Sequence, residues 1–279
     1  MSQVSSPVVQ AVAVPVAAPV ATPRRVRPVR PEVLFGILSP LTLLVLWELC
    51  SRTGIFDQRI LPAPSTVFAT LVAMGREGEL WQHVVHTSMR FAVGMVLGTI
   101  PGIFLGLTMG MFRWCRVIVQ PIVTILYPLP RIALFPLMLI LLGLNEKSNI
   151  LMIALGPFFT MVICSMAGVM NIDSIYKDVA TSFETKPKDL YLKVMLPAAL
   201  PVIMSGVQIS VGLALMTTTA VEYLNADTGL GYLIWHSWQI LSLKLSLAAL
   251  LAAGIMGALI FMFFQWIERR LIPWQAPSR

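Results

Sequence analysis

Two histidines three residues apart, His83 and His86, would share one helical face and so offer half of a metal site. No further ligand completes it and there is no HExxH, so the pair reads as interfacial histidines at a helix start and no metal is expected. The three cysteines, Cys50, Cys115 and Cys164, are far apart and lack CxxC spacing, which leaves them as small apolar residues. No GxSxG elbow offers a nucleophile and no GxxxxGK[ST] loop offers a phosphate cradle, so no catalytic residue is expected and the chain cannot itself hydrolyse ATP. What remains are charges inside apolar runs: Arg131 at mid-run, with Glu48 and Glu222 near run ends. An arginine at that depth costs about 2.5–3.5 kcal/mol on insertion scales, so it either lines a pathway or pairs with carbonyls, or else snorkels from a bent helix.

The elements that must hold these charges are set by composition. Of 279 residues, 57% are hydrophobic and 12% charged, half the charge of an ordinary soluble domain. The apolar residues fall in runs of about 20, the thickness of a bilayer core at 1.5 Å per residue. The net charge of +7 is scattered through loops with no basic face, which excludes nucleic acid as a partner. Residues 1–31, rich in Pro, Ala and Val and ending in Arg24, Arg25, Arg27 and Arg30, are expected to be a disordered cytoplasmic tail. Six apolar segments follow, at about 33–50, 84–110, 116–142, 149–170, 199–222 and 245–267. The expected fold is therefore all-α: a polytopic bundle of six membrane helices within residues 32–272, with cytoplasmic coupling helices and a cytoplasmic tail at 273–279. With the N-terminus inside, Arg113, Arg116, Lys177, Lys186, Lys188, Lys193, Arg269 and Arg270 also lie inside, while the outer loops hold few cations. Both termini are thus expected in the cytoplasm of a multi-pass inner-membrane protein. Arg90 belongs to neither set of loops. Trp47, Trp81, Trp235, Trp238, Trp266 and Trp274 fall near span ends and read as an aromatic belt among the lipids. The outer segment 228–239 contains Gly229 and Gly231 and offers an alternative role as a gate or partner contact.

The second span repeats glycine at Gly94, Gly98, Gly102, Gly106 and Gly110, a ridge that lets another helix approach closely. Packing within the chain's own bundle is expected ahead of a dimer seam. The third span carries Tyr127, Pro128, Pro130, Arg131 and Pro136, and three prolines in nine residues must break its hydrogen-bond ladder. Irregular backbone at membrane depth survives only beside protein or a watery cavity, so Tyr127, Pro130, Arg131 and Glu222 are expected along a translocation pathway.

Residues 171–201 are too polar to insert, yet Ile175, Val179, Phe183, Leu190, Leu192, Val194 and Leu196 give short helices an apolar face. Pro187 should begin a second short helix, and Pro197 should mark entry to the fifth span. Here the chain resembles the permease subunits of binding-protein-dependent ABC importers, whose loop carries EAA, a Gly, and then a hydrophobic residue followed by Leu and Pro. This loop reads Asp178, Val179, Ala180, then Glu184, then Val194, Met195, Leu196 and Pro197, with Asp for the usual Glu and Glu184 for the usual Gly. The stretches LPRIALFPLMLILLGLNEKSNILMIALGPFF and TGLGYLIWHSWQ are similar to the subfamily for nitrate, sulfonates and taurine. The resemblance implies a homodimer of permeases, two cytoplasmic ATPases that hold the ATP and Mg, and a periplasmic or lipid-anchored binding protein. No cofactor is implied on this chain. It further implies that the loop 171–197 docks on the ATPase through Asp178, Val179, Ala180, Ser182, Phe183, Glu184, Lys188, Leu196 and Pro197. The competing expectation is an ion-coupled secondary carrier for a small anion, which a broken helix and a midplane charge also suit.

Overall fold

The computed structural model describes residues 31–55, 57–173, 175–176 and 182–273. The expected N-terminal tail, all but residue 273 of the C-terminal tail, and the loop residues Asp178, Val179 and Ala180 lie outside them. Helix and turn make up the described residues, with no strand among them. The chain divides into two units, residues 1–45 and 46–279. α1 runs Pro31–Arg52, α2 Pro64–Glu77, α3 Glu79–Met111, α4 Arg113–Leu126, α5 Phe135–Leu142, α6 Glu146–Met170, α7 Leu196–Asn225, α8 Leu230–Gln239 and α9 Leu243–Leu271.

Four of these, α3, α6, α9 and α7 with the turn before it, are long and apolar enough to cross a membrane, or five if α4 and α5 form one bent span. The expected count of six is therefore not confirmed; the remaining expected segment falls in α1. The third span is broken, as its prolines require. α4 ends at Leu126, a 3₁₀ turn covers Arg131–Leu134, and the α5 axis departs by 92°. Pro136 sits in the first turn of α5, where a missing N–H costs nothing.

The glycine ridge of α3 packs on α6 within the subunit. A Cβ at Gly94 would meet Ile153 Cγ2 at 2.5 Å, one at Gly102 the Phe158 carbonyl at 2.6 Å, and one at Gly110 Val169 Cβ at 2.6 Å. Gly98 and Gly106 face the Ala154 and Val162 carbonyls even more closely. α3 and α6 thus run parallel, backbone against backbone. α7 returns antiparallel against α6, with Gly168 beside Ala199 and Gly206 beside Cys164. Phe91, Met95, Ile153, Met161, Val207 and Val211 fill the core between these three helices. A second core joins α2, α3, α8 and α9 through Val67, Leu71, Leu80, Leu233 and Ala249.

α2 and α8 are short helices that the apolar runs did not predict. α2 has Ala63 at its N-cap and no cap of its own, and Glu48 of α1 supplies one. Its carboxylate accepts from Ser65 N at 3.0 Å and Ser65 Oγ at 2.7 Å, and also pairs with Arg52. α6 caps itself: Asn145 Oδ1 accepts from Lys147 N at 2.9 Å and Ser148 N at 3.3 Å.

Candidate functional site

Three places in residues 46–279 concentrate polar chemistry: the two ends of α6 and α7, and the break between α4 and α5. At the first end, one guanidinium ties four elements together. Arg90 of α3 is only 5% exposed. Its Nε donates to Glu146 Oε2 at 2.9 Å and Nη2 to Glu146 Oε1 at 2.5 Å, a fork on the first turn of α6. Nη1 donates to Glu222 Oε1 of α7 at 2.9 Å and to the Thr228 carbonyl at 2.5 Å, and Nη2 reaches Thr228 Oγ1 at 3.0 Å. Those contacts use all the N–H groups a guanidinium has. Glu222 is fully buried, and its other oxygen accepts from Thr87 Oγ1 at 2.9 Å and Gly231 N at 3.0 Å. Thr87 Oγ1 in turn accepts from Leu230 N at 2.8 Å, and His83 Nδ1 accepts from Gly229 N at 3.0 Å.

The glycines that open α8 follow from this cluster. Gly229 has φ +118 and lies so close to the Glu222 carboxylate that no Cβ fits, and a Cβ on Gly231 would meet Glu222 Cβ at 2.7 Å. A buried charge is tolerable when paired and fully hydrogen-bonded, and this arrangement meets both conditions. Glu222 was expected along a pathway. The structure instead enfolds it, and His83 is a backbone acceptor rather than half a metal site. Among the described residues no group of three His, Cys, Asp or Glu side chains is placed to hold a metal.

Beside this cluster opens a cleft of about 720 Å³ at the α5–α6 loop, the end of α7 and α8. Glu146 belongs to both, since its side chain is 57% exposed while its oxygens hold Arg90. Asn149 and Asn225 bond across the floor, Nδ2 of Asn225 donating to Asn149 Oδ1 at 3.2 Å. Tyr223 and Trp235 pack with ring centroids 4.7 Å apart, and Tyr232 stacks on His236 at 5.6 Å. Tyr232, Trp235 and His236 of the segment 228–239 thus line a cavity.

At the break, Tyr127 caps the end of α4 and Arg131 opens the 3₁₀ turn. The Arg131 guanidinium carbon lies 5.8 Å from the centre of the Tyr127 ring. Its Nη1 fills the space left by Gly156 of α6, where a Cβ would stand 3.4 Å away. Among the described residues the Arg131 guanidinium has no ion-pair or hydrogen-bond partner. Pro130 precedes it in an extended conformation and is exposed.

The opposite end of α6 and α7 carries the polar stretch. Ser182, Phe183 and Glu184 form its described turn, with Phe183 and Lys188 exposed. Glu184 has φ +47, so this position keeps the left-handed backbone that glycine normally provides. A short helix opens at Pro187, a π-helical turn follows over Leu190–Met195, and Lys193 pairs with Asp189 at 3.0 Å. Leu196 begins α7, with Pro197 in its first turn. Ile175, Tyr176, Phe183 and Leu192 leave large apolar surfaces uncovered around this end.

Sequence reasoning passed over Arg90, Glu146, Asp227 and the two asparagines. A signal was present for the first pair: an arginine inside an apolar run needs a carboxylate at its own depth, and Glu146 and Glu222 both stand at run ends near that level.

Residues 98–276 match the family described as the binding-protein-dependent transport system inner membrane component. The chain belongs to this family. A permease assigned to aliphatic sulfonate transport, SsuC of Escherichia coli, is 32% identical over 84% of this chain and 89% of its own. The taurine transport system permease TauC of the same bacterium is 29% identical over 88% of this chain and 92% of its own. The fold is similar to a chain of the MetNI methionine ABC transporter in inward-facing conformations, with TM-score 0.55, 19% identity and coverage of 69% of this chain and 94% of that one. The protein is thus an inner-membrane permease of a binding-protein-dependent ABC importer and not an enzyme, with ATP hydrolysis on a separate subunit. Family membership decides against the ion-coupled carrier. The geometry agrees, because both carboxylates that such coupling would use are engaged, Glu48 as a helix cap and Glu222 in the Arg90 cluster.

Proposed function

We propose that two copies of this permease form the pathway for a small sulfonate-bearing solute, passed on by a soluble binding protein and driven by two cytoplasmic ATPases that bind the ATP and Mg. The relatives named for aliphatic sulfonates and taurine support the solute class. The observation that carries the reading is Arg131: an intramembrane guanidinium at a 92° break, stacked on a tyrosine and without a carboxylate partner among the described residues. An unpaired cation in that setting is costly unless a passing anion or water meets it, and a sulfonate accepts from a guanidinium fork. Both termini and the 171–197 stretch face the cytoplasm in this reading, in line with where the cations fall. The turn at Phe183 and Glu184, together with Asp178, Val179 and Ala180, docks on the ATPase, and closure of the ATPases shifts the base of α7.

Two substitutions test this. Arg131→Ala should abolish ATP-driven sulfonate uptake while the permease still assembles with its ATPase in copurification; normal uptake removes Arg131 from the pathway. Ala180→Arg should leave the membrane helices intact and release the ATPase, so retention of a fully active complex would show that this face does not dock.

A further inference from the structure

The start of α8 is held by a borrowed cap, and one member of that cap can titrate. α8 has Gly229 at its N-cap and no side-chain cap of its own for the N–H groups exposed there. Three side chains from other elements receive them in order: His83 Nδ1 accepts from Gly229 N at 3.0 Å, Thr87 Oγ1 from Leu230 N at 2.8 Å, and Glu222 Oε2 from Gly231 N at 3.0 Å. His83 and Thr87 are four residues apart and so share one face of α3, with Arg90 one turn further on. Thr87 and Glu222 are buried, whereas His83 is only half-buried and within reach of protons from water. The chain has three histidines, and all stand at this end, with His86 on α3 and His236 on α8. The Tyr232 ring stacks with His83 at 6.0 Å and with His236 at 5.6 Å. Imidazole is the one side chain whose ordinary charge change falls between about pH 5 and 8, so sensitivity in that range is concentrated here.

A backbone N–H can only donate, so the His83 nitrogen facing Gly229 carries no proton. Adding one turns that acceptor into a donor and places a positive charge at the N-terminus of a helix, where the dipole opposes it. Both effects act in the same direction. Once released, the charged ring has Glu79, one turn before it on α3, as a partner. The other titratable groups facing His83 are His86 on α3 and Tyr232 and His236 on α8. α2 and α9 meet this corner through apolar residues such as Val67 and Ala249, while Arg90, Glu146 and Glu222 are bound to one another. We infer that His83 is a pH-sensitive latch, holding the start of α8 against α3 while neutral and letting go when it gains a proton. The open form binds the extra proton, so acid favours it and the latch closes as the pH rises. Tyr232, Trp235 and His236 of α8 line the cleft, so release loosens residues that shape that cavity. In the proposed orientation this end faces outside the cell, and the latch answers to the acidity of the external medium.

The test is amide hydrogen exchange on the full-length permease in lipid nanodiscs at about pH 7.5 and about pH 5.5, on either side of the ordinary histidine pKa, with labelling times scaled for the intrinsic pH dependence of exchange. In the native chain, protection of residues 229–231 should fall by about fivefold or more at the lower pH, the equivalent of one lost hydrogen bond, while residues 98–106 of α3 keep theirs. His83→Asn retains an acceptor at the Nδ1 position that does not titrate, so its protection should be equal at the two pH values. His83→Ala should be loose at both, and His86→Asn and His236→Asn should respond as the native chain does. Full protection of the native chain at the lower pH overturns the inference, and that measurement needs no variant to fold. A pH response that survives in His83→Asn or His83→Ala, or that disappears in His86→Asn or His236→Asn, overturns it as well. Exchange is read without solute, ATPase or uptake, so its failure leaves the sulfonate permease reading standing on its own tests.

Discussion

Arg90 and Arg131 are the same residue placed in neighbouring apolar stretches, and they are solved in opposite ways. Arg90 spends every donor on protein: two carboxylates, a carbonyl and a hydroxyl from three other elements. Arg131 meets a tyrosine face and the gap above a glycine. The difference teaches that an intramembrane charge is not by itself a functional mark. A saturated one holds helices together, while an unsaturated one keeps its valence for something absent from the chain.

That contrast can be broken by experiment. Arg90→Ala should have the largest effect, because it leaves the fully buried Glu222 without its cation and frees Glu146 from α3; a loss of about 3–5 kcal/mol is expected, read as a collapse of thermal stability in detergent. A variant that stays as stable as the native chain would make Arg90 dispensable and erase the distinction. Gly98→Ala comes next, since its methyl would press on the Ala154 carbonyl; overpacking of this kind costs about 1–3 kcal/mol. Glu184→Gly should go the other way, relieving about 1 kcal/mol of left-handed strain and raising the melting temperature slightly; a drop would mean that the glutamate side chain holds the turn. Smallest of all should be the stability change for Arg131→Ala, below about 1 kcal/mol, even though transport is lost. A large destabilisation there would put Arg131 in the same class as Arg90.

The parts legible in the sequence are those written over short distances. Glycine at every fourth residue defines a helical ridge from within one segment, and prolines at 128, 130 and 136 break a span wherever it packs. Pro187 and Pro197 fixed the start of a short helix and the entry to α7 for the same local reason. Partnerships across the chain were not legible: Glu146 lies 56 residues from Arg90 and Glu222 lies 132. Span hydropathy places each of them near a membrane edge but says nothing of which helices stand side by side. Glu222 was therefore read as facing a pathway when it faces an arginine. The cleft was hidden for the same reason, since its walls come from the loop before α6, the end of α7 and α8. Short helices such as α2 also escaped, because α2 draws its cap from Glu48, seventeen residues before Ser65.

The ridge from Gly94 to Gly110 runs about 24 Å along α3 with carbonyls or side chains of α6 filling each notch. Two rods toothed together in this way cannot slip along each other without lifting every tooth at once. Whatever rearrangement opens and shuts this permease must leave α3 and α6 as a single stiff plank and take place around it, at the elbow between α4 and α5 or where α7 rests against its edge.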